Sequence, residues 1–222
     1  MILAESQLQD LREYLWSVQS FVTQEQKAFR QRVEDAIAAE GLQGDEKDEY
    51  YSIHEDEFDQ LHSTFPRIVY SSTLLTACSL FESSLTDLCK DFERDSALPK
   101  LKTWDQLDKD TGIRKAAAFL KANFGVHLKN YSHWDSVLDF YRIRNCIAHV
   151  NGDVSTMQAR QKQEVQQAVQ RHAFFEISIT PYGRLDLGSK FVSTVIERLA
   201  GLWRELHPAC YENAVLGPRY WP

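Results

Sequence analysis

Apolar residues return every three or four positions along most of the chain, the repeat of a helix with one buried face. Residues 2–39 contain neither Pro nor Gly and place Leu8, Leu11, Leu15, Val18, Phe21 and Val22 at that spacing, which predicts one long amphipathic helix. Gly41 and Gly44 end it, and Asp45-Glu46-Lys47-Asp48-Glu49 reads as a charged turn. A shorter helix is expected over 50–62, and Pro66 suits the first turn of the next one, where its missing N–H is harmless. From there to Arg94 the residues Leu74, Cys78, Phe81, Leu85, Leu88 and Phe92 form a near-strict stripe, widened by Ile68, Leu75, Ala77, Leu80 and Cys89. At 1.5 Å per residue this helix is roughly 43 Å long. Its length and stripe predict the central hairpin of a bundle.

The second half continues in the same period. Thr103-Trp104-Asp105-Gln106 fits a capping box, residues 112–124 read as a helix ending at Gly125, and Ser132-His133-Trp134-Asp135 starts another that runs to Asn151-Gly152. A Gln-rich polar helix follows over 155–171. The one β signal is Phe174 to Thr180, a turn at Pro181-Tyr182-Gly183-Arg184, then Leu185 to Leu187, an accessory hairpin. A last helix spans 189–206 through Val192, Val195, Leu199, Leu202 and Trp203, with Pro208 as its stop. The expected fold class is all-α: an antiparallel helical bundle with a long helical hairpin and a small β-hairpin at about 174–187. A single domain covers 1–210, and a tail covers 211–222, whose Tyr220 and Trp221 are suited to docking on the domain or on a partner.

Composition narrows the function. Nine Gly and six Pro in 222 residues are too few for a sandwich or barrel. The first residues lack a basic stretch followed by an apolar run, and no apolar run nears the roughly 20 residues of a membrane span, so a cytoplasmic protein without membrane contact is expected. A net charge of −7 excludes non-specific coating of nucleic acid, which needs many cationic contacts to phosphate, but not a local basic pocket. Cys78, Cys89, Cys146 and Cys210 lie far apart, form no C-x-x-C pair and sit among apolar residues, so they read as buried thiols and not as a zinc site. A metal-dependent hydrolase would draw on His54 and His62 with Glu55, Asp56, Glu57 and Asp59, but no H-E-x-x-H pattern joins them. Neither metal nor cofactor is expected.

One stretch resists a bland reading. Arg142, Arg144, Asn145 and His149 lie inside the most apolar run of the second half, 138–150, and need hydrogen-bonding partners there. At 100° per residue Arg142, Asn145 and His149 fall within about 60° of one another, whereas Arg144 lies roughly 140° from His149. Convergence of Arg144 and His149 on one ligand then requires the helix end or a second subunit. The plain structural alternative pairs Arg144 with Glu82 on the neighbouring helix and leaves His149 to cap its own helix C-terminus.

Arg144-Asn145-Cys146-Ile147-Ala148-His149 resembles the R-x4-6-H motif of the HEPN superfamily, in which a polar residue, often Asn, follows the Arg. The preceding helix, with Leu80-Phe81-Glu82-Ser83 and Leu88-Cys89, is similar to the long helix before that motif, and the likeness covers roughly residues 66 to 152. The resemblance implies a metal-independent endoribonuclease, a toxin or antiviral-defence effector. It acts on RNA as a homodimer whose two motifs meet, with room for an antitoxin or operon partner. On that reading His149 is general acid or base, Arg144 neutralises phosphate charge, Asn145 orients the reacting group, and Glu82 and Arg142 support them. The expected products are 2′,3′-cyclic phosphate and 5′-hydroxyl ends. A subclass carries Tyr two residues after the His for modification by a partner nucleotidyltransferase; here that position is Asn151, which argues against that arrangement. The competing class is a non-catalytic helical module that binds nucleotide or dimerises through the same motif.

Overall fold

The computed structural model describes residues 2–95, 102–107 and 111–216. Helix α1 spans Ile2–Glu40, α2 Asp45–Ile53, α3 Glu55–Asp59, α4 Phe65–Arg94, α5 Gly112–Phe124, α6 Trp134–Val150, α7 Ala159–His172 and α8 Ser189–Leu216. The two strands, β1 Ile177–Ile179 and β2 Leu185–Leu187, pair antiparallel with Ser178 opposite Asp186. The fold is therefore the all-α bundle with a small accessory hairpin that the apolar period predicts. No helix among the described residues is long and apolar enough to cross a membrane.

The stripe on α4 organises the packing. Leu74, Cys78, Phe81, Leu85, Leu88 and Phe92 are all buried, and they meet Leu8 and Leu15 of α1, Phe119 and Leu120 of α5, Phe140 and Ile143 of α6, and Leu199 and Leu202 of α8 in one core. The edges of the expected stripes are less buried: Phe21 and Ile68 are exposed. All four cysteines are free and buried. Burial pushes the thiols of Cys78 and Cys210 up to about 12 and that of Cys146 up to about 11, so Cys146, although inside the motif, is no nucleophile.

Four elements depart from expectation. The acidic stretch at 45–49 is not a turn but opens α2, because carboxylates are favoured in the first turn of a helix. The helix expected at 50–62 is broken at His54, and the chain then runs as one continuous path through α3, a π-turn at Gln60–Thr64 and α4. The wide turn, in which the Phe65 amide bonds the Gln60 carbonyl, absorbs the ring and missing N–H of Pro66. Helix α7 begins at Ala159, four residues later than expected, after a 3-10 turn at Val154–Thr156. Pro208 does not stop α8, which continues to Leu216 past the expected start of the tail at 211. Leu206 and His207 before it and Cys210 and Ala214 after it are all buried, which offsets the roughly 3 kcal/mol of an interior proline. Tyr220 and Trp221 lie outside the described residues.

The β-hairpin fixes the end of α6. Asn151 and Gly152 take left-handed conformations, with φ of 52° and 76°, and the Gly152 amide bonds the Cys146 carbonyl at 3.2 Å. The Leu185 amide then bonds the Gly152 carbonyl at 2.8 Å, and the Val154 amide bonds that of Gly183 at 2.9 Å. His149 stands one turn before this clamp.

Candidate active-site cleft

Helix α6 lies between α4 and α5 on one side and α7 on the other. A cleft of about 450 Å³ opens along it, lined by Glu82 of α4, Thr111 to Arg114 at the start of α5, Leu138, Tyr141, Arg142, Arg144, Asn145 and His149 of α6, and Gln161 and Glu164 of α7. All five residues singled out in the sequence, Glu82, Arg142, Arg144, Asn145 and His149, therefore line one cleft in a single chain. Of the two routes by which Arg144 and His149 could share a site, the helix end or a second subunit, the single chain is consistent with the first: His149 lies in the last turn of α6, and both residues line the cleft.

The plain pairing of Arg144 with Glu82 is absent among the described residues. Arg144 is half-buried and donates from Nη1 to the Asn145 Oδ1 at 2.9 Å, while its Nε is buried without a partner. Its guanidinium lines the cleft, and among the described residues no carboxylate forms an ion pair with it. Arg114, exposed in the first turn of α5, likewise has no carboxylate partner among the described residues. Glu82 instead packs against the first residue of α5: a Cβ on Gly112, whose φ is +56°, would lie 2.8 Å from the Glu82 Oε1. The left-handed φ favours glycine here, and a Cβ would also displace the Glu82 carboxylate from the positive end of that helix. His149 is exposed and has no hydrogen-bond partner among the described residues.

Behind the cleft the helices are locked. Tyr141 Oη donates to the Cys78 carbonyl at 2.7 Å and ties α6 to α4. Burial, with the nearby Cys78 and Glu82, pushes its phenol far up, so it serves as a tie and not as a proton donor. On the other side Asp139 is 3% exposed and accepts from Arg142 Nη1 at 2.7 Å, from Arg171 Nε at 2.7 Å and Nη2 at 2.6 Å, and faces His172 Nε2 at 3.3 Å. Burial raises its carboxyl, but the hydrogen bonds from Arg171, His172 and Arg142 overcome this and hold it well below the usual carboxylate range. Arg142 also lies 3.8 Å from Glu164, so its charge is taken up by Asp139 of α6 and Glu164 of α7, and it braces the cleft wall.

Sequence reasoning missed Asp139, Arg171, His172, Arg114 and Gly112. Asp139 stands three residues before Arg142, a visible i,i+3 pair, but its partners on α7 follow only from the packing. Nothing in the sequence around Arg114 distinguishes it.

The electrostatics suit an anion. Two guanidiniums with no carboxylate partner among the described residues, an exposed imidazole and a helix N-terminus line one opening, opposed by Glu82. No family model, no curated protein and no solved structure matches this chain.

Proposed function

We propose that the α6 cleft is the site of a metal-independent endoribonuclease, a toxin or antiviral-defence effector of HEPN type. The observation that carries this reading is the meeting of Arg144, Asn145 and His149 in one cleft, with no carboxylate paired to the Arg144 guanidinium among the described residues. His149 takes the proton of an RNA 2′-hydroxyl as its oxygen attacks the adjacent phosphorus. The P–O5′ bond breaks, and the imidazolium returns the proton to the departing 5′-oxygen. Arg144 and Arg114 carry the charge that develops on the phosphate oxygens. The products are a 2′,3′-cyclic phosphate and a 5′-hydroxyl. Asn145, bonded to Arg144, sets the angle of its guanidinium. A homodimer is part of this reading: exposed Ile68 and Ala148 lie with Leu75 and Ile147 along a groove next to the motif helix, a face suited to a second copy.

One observation favours the competing class. Glu82 already puts a carboxylate at the positive end of α5, where a substrate phosphate would sit. A non-catalytic nucleotide-binding or dimerisation module accommodates that without difficulty. The two readings separate on incubation of the protein with structured and single-stranded RNA in excess chelator, with Arg144→Ala alongside. The ribonuclease reading expects cleavage by the native chain and a loss on the order of 10²–10³-fold in the variant, with helix content unchanged by circular dichroism. Equal inertness of both against every RNA supports the binding module.

A further inference from the structure

The outer half of α1 does not join the main core. Phe29, Val33 and Ile37 form a second, smaller core with Leu42, Tyr50 and Leu61, so residues 23–64 make an arm of their own. That arm holds twelve Asp and Glu against four Lys and Arg, so the chain's charge of −7 resides there and the rest is close to neutral. The arm also exposes apolar side chains: Tyr51 and Phe58 are each 43% exposed and Ile53 is 70% exposed.

These features meet in a groove of about 500 Å³. Buried Phe29 and Val33 form its floor, Tyr51 and Phe58 stand at its sides, and the exposed carboxylates Glu34, Asp48 and Glu55 surround it, with Arg30 the single cation among its lining residues. The ring faces already receive cations from the chain itself: the Arg32 guanidinium lies 5.8 Å from the Phe29 ring and the Lys47 ammonium 5.9 Å from the Tyr51 ring. We infer that this groove docks a basic amphipathic segment of a partner protein. An apolar residue of that segment enters between the aromatic side chains, and its Lys or Arg residues meet Glu34, Asp48 and Glu55.

The charge selects that occupant. RNA and anionic lipid are repelled by a surface of this sign. A second arm is repelled equally, and the near-neutral body of another copy offers no attraction. An apolar groove with an acidic rim fits an apolar stripe flanked by cations. The inference is independent of the chemistry in the α6 cleft, because no residue lines both places.

The test uses the full chain and two synthetic 18-residue amphipathic peptides, one of Leu and Lys and one of Leu and Glu. Binding is followed by calorimetry and by the amide shifts of Val33, Tyr51 and Phe58. The Leu/Lys peptide is expected to bind and shift those three residues, more weakly as salt rises, while the Leu/Glu peptide does not bind. The triple variant Glu34→Lys, Asp48→Lys, Glu55→Lys, built on exposed residues so that the fold persists, is expected to weaken binding about tenfold or more, and Phe58→Ser is expected to do the same with every charge retained. Equal affinity of native and charge-reversed chains, shifts outside the groove, failure of the Leu/Lys peptide to bind, or shifts at these residues on adding RNA or anionic vesicles each overturns the inference. RNA cleavage is expected to be unchanged in the triple variant, which keeps this outcome separate from that of the cleft.

Discussion

Alanine at position 149 is expected to lower RNA cleavage by roughly 10²–10⁴-fold, the usual contribution of a positioned acid–base group. The effect should fall on the chemical step. His149 is exposed and bonded to nothing among the described residues, so its removal leaves no cavity and no orphaned partner, and the melting temperature should stay put. A single-turnover rate against one defined RNA, measured beside a melting curve, separates the two quantities. Full activity in the variant removes His149 from the chemistry. A collapse in stability instead makes it a structural cap of α6.

The opposite pattern is expected at Asp139. Its carboxylate is the common acceptor for Arg142, Arg171 and His172, and Asp139→Asn would turn an N–H donor toward at least one of them. Breaking a fully buried ion pair costs roughly 3–5 kcal/mol; because Arg171 is half exposed, about 2–3 kcal/mol is expected here, read from urea unfolding. The sign of the pH effect follows from the direction of the shift. The folded carboxyl is held below its unfolded value near about 3.9, so between the two the unfolded chain binds more protons. The stability from this group is full above about pH 5 and is lost as pH falls through and below 4. The Asn variant should therefore lose less on acidification than the native chain. An equal acid sensitivity in both would assign the loss to other carboxylates.

How much of this was legible beforehand depends on which physical effect dominates at each place. The α4 stripe was readable because six large apolar residues share one face and all are buried, so local period and global packing agree. The end of α6 was readable because Asn151 and Gly152 tolerate the left-handed turn that terminates it. Pro208 misled because a local breaker was outweighed by the burial of Cys210 and Ala214 beyond it. Asp45 to Glu49 misled because a run of acids signals solvent exposure equally in a turn and in the first turn of a helix, and only Gly44, with φ of 54°, marks the difference.

The candidate site divides along the same line. Arg144, Asn145 and His149 were visible as polar residues in an apolar run, but their angular spacing left a common site to depend on the helix end or on a second subunit. The angle describes a bare helix. In the fold α4, α5 and α7 raise walls on both sides of α6, and the cleft between them collects residues from more than one face. Glu82 was visible as a lone acid on an apolar helix. That it meets Gly112 at the N-terminus of α5, and forms no ion pair with Arg144, is a contact no pattern within α4 reveals.

The most direct measurement of the central claim is the chemistry of the cut ends. Native protein is incubated in excess chelator with a single RNA, beside the same RNA carrying a deoxyribonucleotide at the cleavage position, and the fragments are identified by mass. The cleft chemistry predicts a 2′,3′-cyclic phosphate on one fragment, a 5′-hydroxyl on the other, and no cut where the 2′-hydroxyl is missing. Fragments with 3′-hydroxyl and 5′-phosphate ends, or cleavage of the deoxy-substituted strand, would contradict it.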